Sequence, residues 1–105
     1  MIRDDIMARH LEWTDAQSLA GEAIEFFPDD SGAAVALRVT QVSEGISIPD
    51  MRQFRLIFRG PARPVYAQGT YLFRHARLGD YAFMVTPIRA DAASADYEAC
   101  FSHAA

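Results

Sequence analysis

The hydrophobic rhythm of the chain changes once, at Gly21. Before it, apolar residues recur at helical spacing; after it, they alternate with polar ones, the two-residue period of a half-buried strand. In the first part, Thr14-Asp15-Ala16-Gln17 fits a capping box, with the Thr hydroxyl accepting from a free backbone N–H and Gln reaching back. Leu19 and Ala20 follow and Gly21 ends the segment, which predicts a helix of about two turns. Residues 5–11 predict another short helix, with Ile6, Met7 and Leu11 turned inward. Residues 1–20 thus read as a helical or irregular lead-in.

The alternating part divides into strands at its turn signals. Glu22-Ala23-Ile24-Glu25-Phe26 alternates roughly and stops at Pro28-Asp29-Asp30-Ser31-Gly32, whose final Gly can take positive φ. Val35, Leu37 and Val39 then share a face, but Val42 is out of phase with them, which predicts a β-bulge near Thr40-Gln41. The clearest strand is 52–59, with Phe54, Leu56 and Phe58 inward and Arg55 and Arg59 outward. If that assignment of faces is right, Leu56→Ala should cost about 2–5 kcal/mol. Gly60-Pro61-Ala62-Arg63-Pro64 reads as a loop, because two prolines remove ladder donors. Alternation resumes at 70–75, where Tyr71, Phe73 and His75 share a side, and Leu78-Gly79-Asp80 turns it into 81–86. Pro87 and residues 89–95 read as the next turn, before a last strand at 97–101.

About six short strands, spaced eight to twelve residues apart, predict a mainly β fold: an antiparallel small barrel or sandwich with a short N-terminal helical lead-in. No segment between strands is a long enough helix for the crossovers of a parallel sheet. The 105 residues make one domain, 1–105, of which 21–102 is the β part.

Composition adds two exclusions and one asymmetry. A lone cysteine, Cys100, rules out an internal disulfide and suits a reducing compartment. The start, Met1-Ile2-Arg3-Asp4-Asp5, leads into no apolar run, so no secretory signal is expected, and no stretch is long and apolar enough for a membrane helix. The expectation is a cytoplasmic protein with no membrane contact. All ten basic residues are Arg, with no Lys and no Asn beside eighteen Ala, a skew that a GC-rich bacterial genome produces. The asymmetry lies in their placement. Residues 51–79 hold six Arg and no acid, whereas the rest holds four Arg and fourteen acids.

Candidate chemistry is sparse. No two histidines have ligand spacing and one cysteine cannot complete a usual zinc set, so neither a metal site nor a cofactor is expected. His75 reads most simply as a core-edge imidazole bonded to a neighbouring strand or a carboxylate. The functional reading makes it a general base oriented by Asp80 or Asp50, with Tyr71 beside it in a small ligand-binding or hydrolytic barrel. Cys100 and His103 are a weaker nucleophile–base pair. Arg55, Arg59 and Arg74, with Tyr66 nearby, suggest an interaction face. Single-stranded nucleic acid is one conceivable partner, through phosphate contacts and stacking. A net charge of −4 disfavours it, and pairing with carboxylates of this chain or of another subunit is simpler.

Phe54-Arg55-Leu56-Ile57-Phe58-Arg59-Gly60-Pro61, Gln68-Gly69-Thr70-Tyr71 with His75 and Leu78-Gly79, Phe83-Met84-Val85-Thr86-Pro87 and Tyr97-Glu98-Ala99-Cys100-Phe101 together resemble a bacterial family of uncharacterised small domains. Its members are often found beside proteins with phage tail-collar domains of the microcystin-dependent type. The resemblance spans about residues 20–102 and rests mostly on structural motifs; Cys100 departs from it, standing where an aliphatic residue is usual. It implies no catalytic residues, and an accessory or structural role near tail-like assemblies. The functional expectation is therefore a non-enzymatic protein-interaction or assembly module, acting with a protein partner or as a homo-oligomer.

Overall fold

A computed structural model describes residues 2–46 and 48–104. Its elements are α1 (Asp4–Met7), α2 (Trp13–Ser18), β1 (Ala23–Phe27), β2 (Val35–Glu44), β3 (Met51–Pro61), β4 (Gly69–His75), β5 (Gly79–Ala90) and β6 (Ser94–Ala104). The six strands are antiparallel to their neighbours and close into a barrel in the order β1-β2-β3-β6-β5-β4. Two meanders, β1-β2-β3 and β4-β5-β6, are joined by the 62–68 connection. That connection crosses what we call the upper end, where the β1–β2 and β5–β6 turns also lie.

The alternating pattern translates directly into the core. Ile24, Phe26, Leu37, Val39, Phe54, Leu56, Phe58, Phe73, Tyr81, Phe83, Val85, Tyr97 and Ala99 are all buried and point inward. Aromatic rings fill the interior: Phe73 lies 5.1 Å from Phe58, 5.0 Å from Phe83 and 5.3 Å from Phe26, centroid to centroid. Each such side chain contributes about 1.5–3 kcal/mol by burial, and favourable ring geometry adds to that. Tyr66 lids the upper end. Its ring meets Phe26 at 5.1 Å, and its N–H donates to the Tyr97 hydroxyl at 3.0 Å.

The bulge predicted near Thr40-Gln41 is present: the β2–β3 register slips between Val39 and Gln41, which puts Val42 back on the inner side opposite Leu56. Two proline arguments need correcting. β3 runs through Gly60 to Pro61, because beyond Arg59 it has β6 alone as a neighbour, so the missing proline donor falls at a strand end. Gly60 leaves room there for the Leu37 side chain, whose terminal methyl would have to shift to admit a Cβ. Likewise β5 continues through Pro87 to Ala90, with the irregularity absorbed between Pro87 and Arg89, and the turn shrinks to residues 91–93. β6 in turn extends to Ala104.

At the lower end the barrel is split. β5 and β6 pair only from Ala90↔Ala95 down to Thr86↔Glu98, then part. The lead-in runs beneath that opening and touches both of its sides. Arg9 lies over the Tyr81 ring at 3.9 Å and donates to the Asp80 carbonyl at 3.0 Å, on the β5 side. On the β6 side the Leu11 carbonyl meets His103 Nε2 at 3.0 Å, and Trp13 packs on Phe54 at 5.2 Å. Leu11, Ala16 and Leu19 seal the floor and are fully buried. The predicted capping box is not formed: α2 starts earlier, with Glu12 at its N-cap, and Thr14 lies inside the helix. Ile6 is buried as predicted, whereas Met7 is 53% exposed, because a single turn of helix presents only one side to β5.

Candidate interaction surface

The hairpin between β4 and β5 fixes His75. Gly79, at φ +83, makes a reversal that a residue with a side chain would strain. The turn then folds over the imidazole, so that Nδ1 accepts from the N–H groups of Arg77 (3.2 Å) and Leu78 (3.1 Å). Nε2 therefore carries the proton, donated to Glu22 Oε1 at 2.7 Å. Arg77 also holds Glu22, at 3.0 Å, and reaches Ser18. Hydrogen bonding from His75, then from Arg77, lowers the Glu22 carboxyl below its usual range. His75 is buried and both ring nitrogens are occupied, so the ring pins the hairpin to the start of β1.

Its predicted companions go elsewhere. Asp80 faces the opposite side of the sheet and clasps Arg74 with both oxygens, at 2.7 and 3.0 Å. Asp50 forms the tip of the β2–β3 hairpin. The Tyr71 hydroxyl donates to the Ala67 carbonyl at 2.6 Å, bracing the upper connection. The residue that does meet His75, Glu22, is 53 positions away and carries no spacing signal.

The arginine face is neutralised from within the chain. Arg55 pairs with Glu98 at 3.1 Å, Arg52 with Glu44 at 2.8 Å and Arg74 with Asp80. Arg59 grips Asp96 in a two-point contact at 2.9 and 3.2 Å, and Arg89 holds the same carboxylate at 2.9 Å while also pairing with Asp91. Asp96 is covered by these two guanidinium groups and its pKa falls to about 2, mainly through the Arg59 hydrogen bonds. Register explains the pairing: Arg59↔Asp96 and Arg89↔Asp96 are direct cross-strand partners. Cys100 points outward with a thiol pushed up in pKa by burial and by Glu98, while His103, on the other face of β6, holds the lead-in. They do not form a pair. Among the described residues no three His, Cys, Asp or Glu side chains converge as metal ligands, and no helix is long and apolar enough to cross a membrane.

Large apolar side chains are exposed singly at Met7, Val65, Met84 and Ile88, and three more are exposed at the end of an arm. Below the closed barrel, residues 41–44 of β2, 51–57 of β3 and 98–104 of β6 continue as a three-stranded sheet, backed on one face by the lead-in. Its tip is a tight turn through Pro49-Asp50, with Asp50 at φ 62 and the Met51 N–H donating to the Ile48 carbonyl at 3.1 Å. Ile46, Ile48 and Met51 stand on that tip, 78, 42 and 40% exposed. A turn requires no large apolar side chains, and three are left to solvent here. The signal was present in the sequence as two isoleucines between Gly45 and Pro49, though residue 47 lies outside the described residues.

A protein-family model matches residues 11–101, which takes in α2, β1 to β5 and β6 as far as Phe101. The chain belongs to the DUF6916 family, a domain of unknown function. No curated protein and no solved structure matches it. The DUF6916 match begins at Leu11, one of the residues that seal the barrel floor, and so includes α2 as well as the strands.

Proposed function

We propose that this DUF6916 domain is a non-enzymatic interaction or assembly module that meets its protein partner through the β2–β3–β6 arm. The single observation that carries the reading is the exposed Ile46, Ile48 and Met51 cluster on a tightly turned hairpin tip. Elsewhere the side chains with chemical potential already serve the fold: His75 pins a hairpin, and Arg55, Arg59 and Arg74 hold carboxylates of the same chain. The barrel interior is packed with rings, and a surface depression of about 740 Å³ between α1 and the β1–β2 loop, lined by Met7, Phe27, Leu72 and Arg74, lies outside it. The setting is a reducing compartment, where the outward Cys100 thiol stays free, and the resemblance described above suggests a place beside tail-like assemblies of bacteria.

Size-exclusion chromatography with light scattering, combined with retention of partners from native lysate, tests the reading. Self-association or a retained partner is expected for the wild type, and loss of it for the Ile46→Asp/Ile48→Asp variant. A strictly monomeric wild type that retains nothing overturns it.

A further inference from the structure

We propose that two copies of this chain join edge to edge through residues 99–104 of β6, antiparallel about a two-fold axis, so that their three-stranded arms form one six-stranded sheet. The proposal rests on the reading of the arm as an interaction surface and names its occupant.

The arm has two free strand edges, and they differ. The β2 edge is broken by the bulge between Val39 and Gln41 and ends in the charged Glu44, both devices that discourage pairing. The β6 edge carries neither. Below Glu98 it has β3 on one side and no strand on the other, among the described residues. Its sequence, Ala99-Cys100-Phe101-Ser102-His103-Ala104, contains no charge, no proline and no glycine. The six residues span about 20 Å, and every second one turns its backbone N–H and C=O to the open side, away from β3.

The strand is also held ready. Phe101 stacks on Phe54 at 4.9 Å with planes 19° apart and meets Phe83 at 5.3 Å, while His103 is tied to the Leu11 carbonyl. Pairing therefore requires little new ordering.

The seam suits a second copy because it complements itself. Antiparallel partners in one sheet lie on the same face, so paired residue numbers must sum to an even value and the axis falls on Phe101 or Ser102. With the axis on Phe101, that ring meets its own copy and Ala99 meets His103 on the inner face, with Cys100 against Ser102 outside; with the axis on Ser102, Phe101 meets His103 inside, and Ser102 meets its own copy and Cys100 meets Ala104 outside. The flanking charges are already cancelled within each copy, Arg55 by Glu98 and Arg52 by Glu44, so no like charges meet at the seam. A two-fold contact of this kind closes and stops at the dimer.

Sedimentation velocity across a dilution series tests this. The wild type should move toward twice the chain mass with rising concentration. Ser102→Lys, at an exposed position, should remain monomeric with an unchanged far-UV spectrum. Cysteine cross-linking provides an independent measurement. Cys100→Ser/Ser102→Cys should form a reducible dimer if the axis is on Ser102. Ser102→Cys with Cys100 retained should do so if the axis is on Phe101. Failure of both cysteine variants to cross-link, or a dimer that survives Ser102→Lys, overturns the seam. A wild type monomeric up to about 1 mM that retains a partner through Ile46 and Ile48 overturns the seam alone. One that retains nothing overturns the interaction reading as well.

Discussion

Within β6 the same strand lives in two environments. From Ser94 to Glu98 it runs between β3 and β5, with Tyr97 buried in the barrel and Asp96 covered by two arginines. From Ala99 to Ala104 it keeps β3 but loses β5, and only its inner face is covered, by the lead-in. The upper half meets every requirement internally: backbone by two neighbours, charge by cross-strand carboxylates, apolar surface by rings. The lower half leaves an edge and an apolar hairpin tip open. The stabilising contacts and the open edge thus lie along different lengths of the same strand.

Four variants test that division, in falling order of effect. Leu56 is fully buried where β2, β3 and β6 meet, opposite Val42 and Ala99, so Leu56→Ala should cost about 2–5 kcal/mol in urea unfolding. Phe101, half-buried in the arm, should cost less when changed to Ala, about 1–2 kcal/mol. Equal costs would mean that the arm is part of the core.

Asp96→Asn should cost about 1–2 kcal/mol at pH 7, a range kept low because Arg59 and Arg89 are themselves partly exposed. The folded carboxyl titrates near 2 against 3.8 for the free group, so its contribution is complete above pH 3.8 and is lost as the pH falls through 2. The difference between wild type and variant should therefore shrink to a small remnant in urea unfolding at pH 2, where the folded carboxyl is about half protonated. A gap that persists there at full size would assign the effect to something other than the charge.

The smallest effect on stability should come from Ile46→Asp/Ile48→Asp, within about 0.5 kcal/mol, since those side chains touch solvent. A larger loss would show that the tip supports the fold.

Much of this architecture was readable in advance because strand periodicity is local. The inward set of β3, the bulge at Thr40-Gln41 and the turn at Gly79 follow from alternation and from glycine's backbone freedom, and each is where the pattern placed it. The errors were local rules overruled by neighbours. Pro61 and Pro87 were read as strand breakers, yet each sits where the ladder ends or slips, and the Thr14 cap gave way to an earlier helix start. The candidate site was less legible. His75 was correctly placed on the inner face, but its carboxylate partner is Glu22 and not Asp80, because facing side chains in a barrel come from strands distant in sequence.

The sequence by itself determined a mainly β fold with a helical lead-in, and which face of each strand turns inward, since those properties depend on residues two to four apart. Only the tertiary structure decided where the lead-in sits, which carboxylates meet the arginine-rich strands, and that β5 leaves β6 at Glu98. Those depend on closure of the barrel, which brings together residues from opposite ends of the chain and leaves one edge without a neighbour.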